Sequence, residues 1–226
     1  MGIVFISVLH DKNTRQDFWK RLIDFRRISL RWYFLAILLP PILWLVALAV
    51  DVLLGGQPPA FPSLVNAIAQ PVMLIPLFVP IVLFGPLSEK LGWRGYVLDR
   101  LHTHYSPLVS SCILGLAWAL WHLPLFWVRG SDQYNIGLFT FYFWVFFLYV
   151  AGHSFLIDRA YNENNRSTLA AILMHFSGNL MLTLAIPFSG RAYLFAVVLF
   201  WLAANILRIA ETRRPAVRAG YSPKLS

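Results

Sequence analysis

The sequence predicts an all-α, polytopic membrane bundle, and three observations carry that prediction. Hydrophobic residues make up 58% of the 226 positions and charged residues only 13%, whereas a soluble domain of this size carries far more charge. The apolar residues fall in blocks of about 20, the length an α-helix needs to cross a hydrocarbon core. The short alternating segments of a membrane β-barrel are absent. In lipid each backbone amide must be satisfied within its own segment, so the blocks are helices.

Residues 1–32 read as an N-terminal cytoplasmic segment. Within it, 14–32 is expected to be an interfacial amphipathic helix. Phe18, Leu22 and Phe25 recur at helical spacing, Trp19 and Ile28 stand beside them, and basic residues fill the rest. Membrane spans are expected near 33–54, 64–87, 107–127, 137–157, 168–187 and 191–208. Residues 86–101 prolong the second of these into one long helix bent at its prolines, which gives about six to seven membrane helices. One membrane domain, 33–210, holds them all. GGQPPAFPS at 55–63 is a non-helical loop, and 129–135 and 158–167 are polar turns. Residues 211–226, with Pro215, Gly220 and Pro223, form a cytoplasmic tail. No internal repeat is present, which argues against the inverted-repeat transporters.

The net charge of +9 raises nucleic acid as a partner, but the placement of the charge points elsewhere. Lys12, Arg15, Lys20, Arg21, Arg26, Arg27 and Arg31 precede the first span. Lys90, Arg94 and Arg100 follow the second, and Arg159 and Arg166 follow the fourth. Arg208, Arg213, Arg214, Arg218 and Lys224 follow the last. Only Arg129 and Arg191 fall in the other connections. This is the positive-inside pattern of a multi-pass cell-membrane protein with both termini cytoplasmic. It explains the excess charge through the lipid bilayer, without nucleic acid. Cys112 is the sole cysteine, so neither a disulfide framework nor a Cys-based zinc site exists; in its apolar helix it reads as a small packing residue.

An ionisable group within a bilayer costs at least ~2.5–3.5 kcal/mol on insertion scales, so each one needs a partner or a task. Four segments hold such groups: 84–101 with Glu89, Lys90 and Arg94; 118–127 with His122; 169–180 with His175 and Asn179; and YVAGHSF with His153. His175 and Asn179 are four apart and share a helical face, as do Trp118 and His122. Gly85 and Pro86 permit a bend just before Glu89, and Gly92 permits close approach of another chain. Taken singly, each has a plainer use: helix pairing for Glu89, interhelical hydrogen bonds for His175 and Asn179, a satisfied core position for His122 and for His153. His102 and His104 read as an interfacial turn.

Together, Glu89-Lys90-x-x-x-Arg94, Trp118-x-x-x-His122 and His175-x-x-x-Asn179 resemble the motifs of the CAAX-processing and bacteriocin-processing intramembrane proteases, also called the Abi or prenyl-protein-endopeptidase-like family. The strings GPLSEKLGWRGYVLDRL and WALWHLPLF read the same way, and the likeness covers about residues 70–185. The resemblance implies an intramembrane endopeptidase acting on a membrane-attached peptide or protein. Glu89 would activate water, His122 would help bind it, and His175 with Asn179 would stabilise the oxyanion. Lys90, Arg94 and Trp118 would support them. A divalent metal such as zinc, held by Glu89, His122 and His175, is one version of that chemistry. A metal-free glutamate mechanism is preferred, because the spacing is not His-Glu-x-x-His.

The family's second glutamate is Lys90 here. With Arg94 one turn away, two cations share a face, and Glu89, Asp99 or Asp158 must compensate. An ion pair with Lys90 would make Glu89 a poorer base, whereas a Lys90 that snorkels to the headgroups would leave it free. The alternative to an enzyme is a non-catalytic immunity or adaptor protein of the same fold, which would tolerate Glu89→Ala.

Overall fold

The computed structural model describes residues 2–184 and 189–212. The expected tail from 213 onward, with Arg213, Arg214, Arg218 and Lys224, lies outside the described residues, as do 185–187 of the expected fifth span. The helices are α1 (Gly2–Leu9), α2 (Lys12–Ile23), α3 (Leu30–Leu53), α4 (Pro62–Ala69), α5 (Pro71–His104), α6 (Pro107–Trp127), α7 (Asp132–Ile136), α8 (Phe141–Glu163), α9 (Thr168–Leu184) and α10 (Gly190–Thr212). Five stretches among the described residues are long and apolar enough to cross a membrane: α3, α5, α6, α8 and residues Gly190–Ala210 of α10. α9 is apolar and shorter, at 17 residues.

α8 is the central helix, packed against α6, α9 and α10, while α3 lies along α9 and α10. Apolar burial does not drive helices together in lipid, so close approach by small residues must. Ala36 and Ala47 of α3, Ala160 of α8, Ala170 and Ala171 of α9, and Ala192 of α10 are all fully buried. Around them sits an aromatic cluster. The Trp44 ring lies 5.2 Å from Tyr149 and 5.0 Å from Tyr193, and Tyr149 lies 5.0 Å from Phe200.

The second span begins later than expected. Residues 62–69 fold as the separate helix α4, and α5 starts at Pro71 because the Gln70 backbone is non-helical (φ −137°, ψ 86°), as befits the residue before a proline. From there α5 runs 34 residues to His104, so the expected continuity of 86–101 with the span is observed. It is not a regular helix. Two widened π turns, Leu83–Leu87 and Trp93–Val97, bracket Ser88–Gly92. Pro86 lacks an N–H and so cannot close a regular bond there; such bulges recur at functional sites.

The amphipathic segment is also shorter than 14–32. Asp11 accepts from the Thr14 amide at 2.9 Å to start α2. The helix stops at Asp24, and after a turn at Phe25–Arg27 the first span begins at Leu30. Phe25 is exposed, whereas Phe18 is buried with Ile6 and Leu91, so the apolar face of α2 is pressed in part onto α5. Only Gly95 permits this, since a Cβ there would stand 2.8 Å from the Phe18 ring. Arg21 is buried too. It donates to Asp99 at 2.6 Å and to the Tyr161 hydroxyl at 2.7 Å, while Tyr161 donates to Asp99 at 2.8 Å and Arg166 also binds Asp99. This ionic lock ties α2, α5, α8 and the α8–α9 turn together at the basic end of the bundle.

The polar turn expected at 158–167 shrinks to 164–167, because α8 continues to Glu163. Asp158 and Tyr161 are fully buried and face protein partners rather than water. The reversal falls at Asn165 and Arg166, both with positive φ. Within the turn expected at 129–135, Asp132–Ile136 forms the short helix α7, capped by Ser131. At the opposite end from the lock, Arg191 and Ser189 bind Asp51 at 2.7 and 2.5 Å.

Candidate active site

Four helices contribute to one cavity of about 630 Å³. α5 supplies Glu89 and Gly85, α6 supplies Trp118 and His122, α8 supplies Tyr149 and His153, and α9 supplies His175 and Asn179. Asp132 and Gln133 of α7 stand at its rim. The three expected motifs therefore meet in space. Gly85 lets α5 approach α9, since a Cβ there would lie 3.1 Å from the Asn179 amide nitrogen.

The Trp118 indole organises the floor. Its N–H donates to Glu89 Oε2 at 2.5 Å. Lys90 reaches the same oxygen at 3.3 Å with its ammonium 3.5 Å above the indole ring. Lys90 is fully buried, so it does not snorkel to the headgroups. The face of an aromatic ring attracts a cation, which gives Lys90 a seat in a place where a glutamate could not use the ring. Neither contact occupies Glu89 Oε1.

Arg94 points away from the cavity. Fully buried, it donates to Asp158 at 2.8 Å and to the Ser154 hydroxyl at 2.6 Å, and its guanidinium lies 5.3 Å from the Trp118 ring. Of the three carboxylates expected to compensate the cations, Asp158 takes Arg94, Glu89 takes Lys90, and Asp99 takes Arg21 and Arg166 instead.

Hydrogen bonds fix the imidazoles. His122 Nδ1 lies 2.7 Å from the Trp118 carbonyl. A carbonyl only accepts, so Nδ1 carries the proton and neutral His122 offers Nε2 as an acceptor. His175 is buried, and its Nδ1 has no partner. An unpartnered N–H costs more to bury than a bare lone pair, which favours the tautomer with Nε2–H. The ring lies 5.0 Å from Trp118 and 5.9 Å from His153.

His153 matches none of the motifs, yet it lines the same cavity. Its Nε2–H donates to the Met174 carbonyl at 3.2 Å, and Tyr149 donates to its Nδ1 at 3.4 Å. It thus holds α9 one residue before His175. Its sequence signal was a histidine in an apolar helix, without a spacing to assign it. Gly178 makes room for the ring, since a Cβ there would stand 2.4 Å from His153 Cε1. Gly178→Ala is expected to destabilise the bundle by about 1–3 kcal/mol through overpacking, read by thermal unfolding of the detergent-solubilised protein. His102 and His104 close α5 at the basic end, away from the cavity.

Among the described residues, no group of three or more His, Cys, Asp or Glu side chains comes together in a way that could hold a metal ion. Glu89, His122 and His175 share the cavity without forming such a ligand set, and the Lys90 ammonium stands beside the carboxylate. These residues do not fit a metal as placed.

The model of a family described as type II CAAX prenyl endopeptidase Rce1-like matches residues 71–181, a stretch that contains Glu89, His122, His175 and Asn179. The chain is also similar to CAAX prenyl protease 2 of Methanococcus maripaludis. The two are 29% identical over 208 residues, which cover 92% of this chain and 76% of that protein.

Proposed function

Residues 71–181 belong to the Rce1-like family of type II CAAX prenyl endopeptidases, and from that premise we propose that the chain hydrolyses a peptide bond of a membrane-attached peptide or protein, with Glu89 as the general base. The observation that carries the proposal is the meeting of Glu89, His122, His175 and Asn179 on one cavity. In it the two acceptors come from α5 and α6, and the two donors both come from α9.

Water bound between Glu89 Oε1 and His122 Nε2 gives a hydrogen bond to each and keeps a lone pair for attack. Glu89 takes one proton as the oxygen adds to the carbonyl carbon. The carbonyl oxygen becomes an oxyanion, stabilised by His175 Nε2–H and the Asn179 amide. Collapse expels the amine, which takes the proton from Glu89 and leaves a carboxylic acid; that acid then gives its remaining proton to the released amine, so the products are a carboxylate and an ammonium. Trp118 and Lys90 hold Oε2 in this scheme, so the ion pair positions the carboxylate without consuming its reactive oxygen. Both termini lie on the cytoplasmic side, as the basic connections direct.

The test is cleavage of a quenched, lipidated peptide library by the full chain in detergent, with Glu89→Ala and chelator as separate arms. Cleavage lost in Glu89→Ala supports the reading, and cleavage retained there refutes the assigned base. His175→Phe and Asn179→Leu are each expected to lower kcat by about 10²–10³-fold, the usual cost of removing one oxyanion donor, with KM moving much less.

A further inference from the structure

We infer that His153 is a positioning residue for the two oxyanion donors: it fixes how α9 turns about its own axis, so that His175 and Asn179 face the cavity together. The inference rests on the reading of the cavity as the peptide-cleaving site and adds a residue that none of the three motifs contains.

His153 meets α9 at two places. Its Nε2–H donates to the Met174 carbonyl at 3.2 Å, and its ring fills the space that a Gly178 side chain would take. Met174 directly precedes His175, and Gly178 directly precedes Asn179. On an α-helix these two positions form a stripe about 100° round from the two donors. A stop on that stripe resists rotation of α9, and any rotation would carry both donors with it. On the donors' own face, a Cβ at Gly85 of α5 would stand 3.1 Å from Asn179 Nδ2 and 3.8 Å from His175 Cε1. α9 is therefore held between the α5 backbone on one side and the His153 ring on the other.

The stop is itself backed. Trp44 of α3 donates its indole N–H to the Tyr149 hydroxyl at 3.3 Å, and Tyr149 donates to His153 Nδ1 at 3.4 Å. The hydrogen bonds run one way, from Trp44 through Tyr149 and His153 to the Met174 carbonyl, so one set of proton positions satisfies them all. Trp44, Tyr149, His153 and Met174 are all buried, and Phe200 packs on the His153 ring at 5.3 Å. Packing alone does not ask for an imidazole here, since leucine or phenylalanine would fill the site without burying polar atoms. What the imidazole adds is a donor aimed at α9.

The test compares His153→Leu with His153→Gln in the full detergent-purified chain, at a temperature where unfolding curves show each to be folded. Leucine removes the donor, whereas glutamine keeps an N–H at the reach of Nε2. His153→Leu is expected to lower kcat on the quenched, lipidated peptide by about 10²-fold, the cost of a small misplacement, with KM little changed. His153→Gln is expected to recover most of that loss. In protein carrying ¹⁵N-histidine, the His175 imidazole signals are assigned by their loss in His175→Phe. They are expected to move in His153→Leu and to stay near their wild-type positions in His153→Gln. Neither variant keeps the His153 ring, so loss of the ring does not account for a difference between them. Wild-type kcat in His153→Leu, unmoved His175 signals there, or glutamine behaving as leucine does overturns the inference. If His153→Leu does not fold, Tyr149→Phe decides. It is expected to lower kcat by about 2–10-fold, the worth of one neutral hydrogen bond, and unchanged kcat with unmoved His175 signals overturns the inference. His175 signals that respond as expected in a protein whose wild type cleaves no peptide defeat the endopeptidase reading and leave the hold on α9 standing.

Discussion

Glu89→Gln is expected to reduce kcat for peptide cleavage by about 10²–10⁴-fold, the range a positioned general base supplies, while the protein still folds. The amide is close to the carboxylate in shape and keeps an oxygen to accept the Trp118 N–H, which donates to Glu89 at 2.5 Å. It cannot take a proton from water. Glu89 is partly accessible at the cavity floor, so the substitution creates no void. Lys90 loses its ion pair but keeps its place over the indole ring, 3.5 Å from the centroid. The measurement is kcat on a quenched peptide beside a thermal unfolding curve. Wild-type turnover with an unchanged curve would remove Glu89 from the chemistry, and with it the scheme built on Oε1.

Asp158→Ala is expected to be the costliest single change for stability, at about 3–5 kcal/mol, the penalty for stripping one partner from a buried ion pair. Arg94 is fully buried and makes its charged contact with Asp158 at 2.8 Å. Without it the guanidinium keeps only the Ser154 hydroxyl and carbonyl as partners, and nothing neutralises it. Unfolding in mixed detergent reads the loss. The double variant Arg94→Met with Asp158→Leu is expected to recover much of it, since apolar groups of similar volume often replace a buried pair at little cost. Activity is not expected to return with stability, because Arg94 also lies against Trp118. If Asp158→Ala alone unfolds like wild type, the pair does not hold α5 to α8.

The spans were legible because lipid imposes length and hydropathy on each of them, and the three motifs were legible because helical spacing survives in one dimension. The partners were less so. Asp158 belongs to DRAYNENNRS, a string polar enough to read as a turn, and only tertiary context shows that it is helical as far as Glu163, with Asp158, Ala160 and Tyr161 buried. The apolar stripe of α2 looks the same whether it meets lipid or protein, so its contact through Phe18 and Gly95 left no distinct trace. The start of α5 moved to Pro71 because a stretch of uniform hydropathy does not mark where one helix stops and the next begins. His153 stayed unassigned because its partners are a backbone carbonyl and a tyrosine four residues back, and neither makes a motif.

Six side chains lean on a single indole: Glu89, Lys90 and Arg94 from α5, and the rings of His122, His153 and His175. Such a hub makes the neighbourhood epistatic. A substitution at any of the seven positions alters the surroundings of the others, so energies measured one residue at a time will not sum. The same hub accounts for a lysine where the resemblance led one to expect an acid. A π-face welcomes a cation, and evolution could exchange the charge at position 90 without rebuilding the ring that receives it.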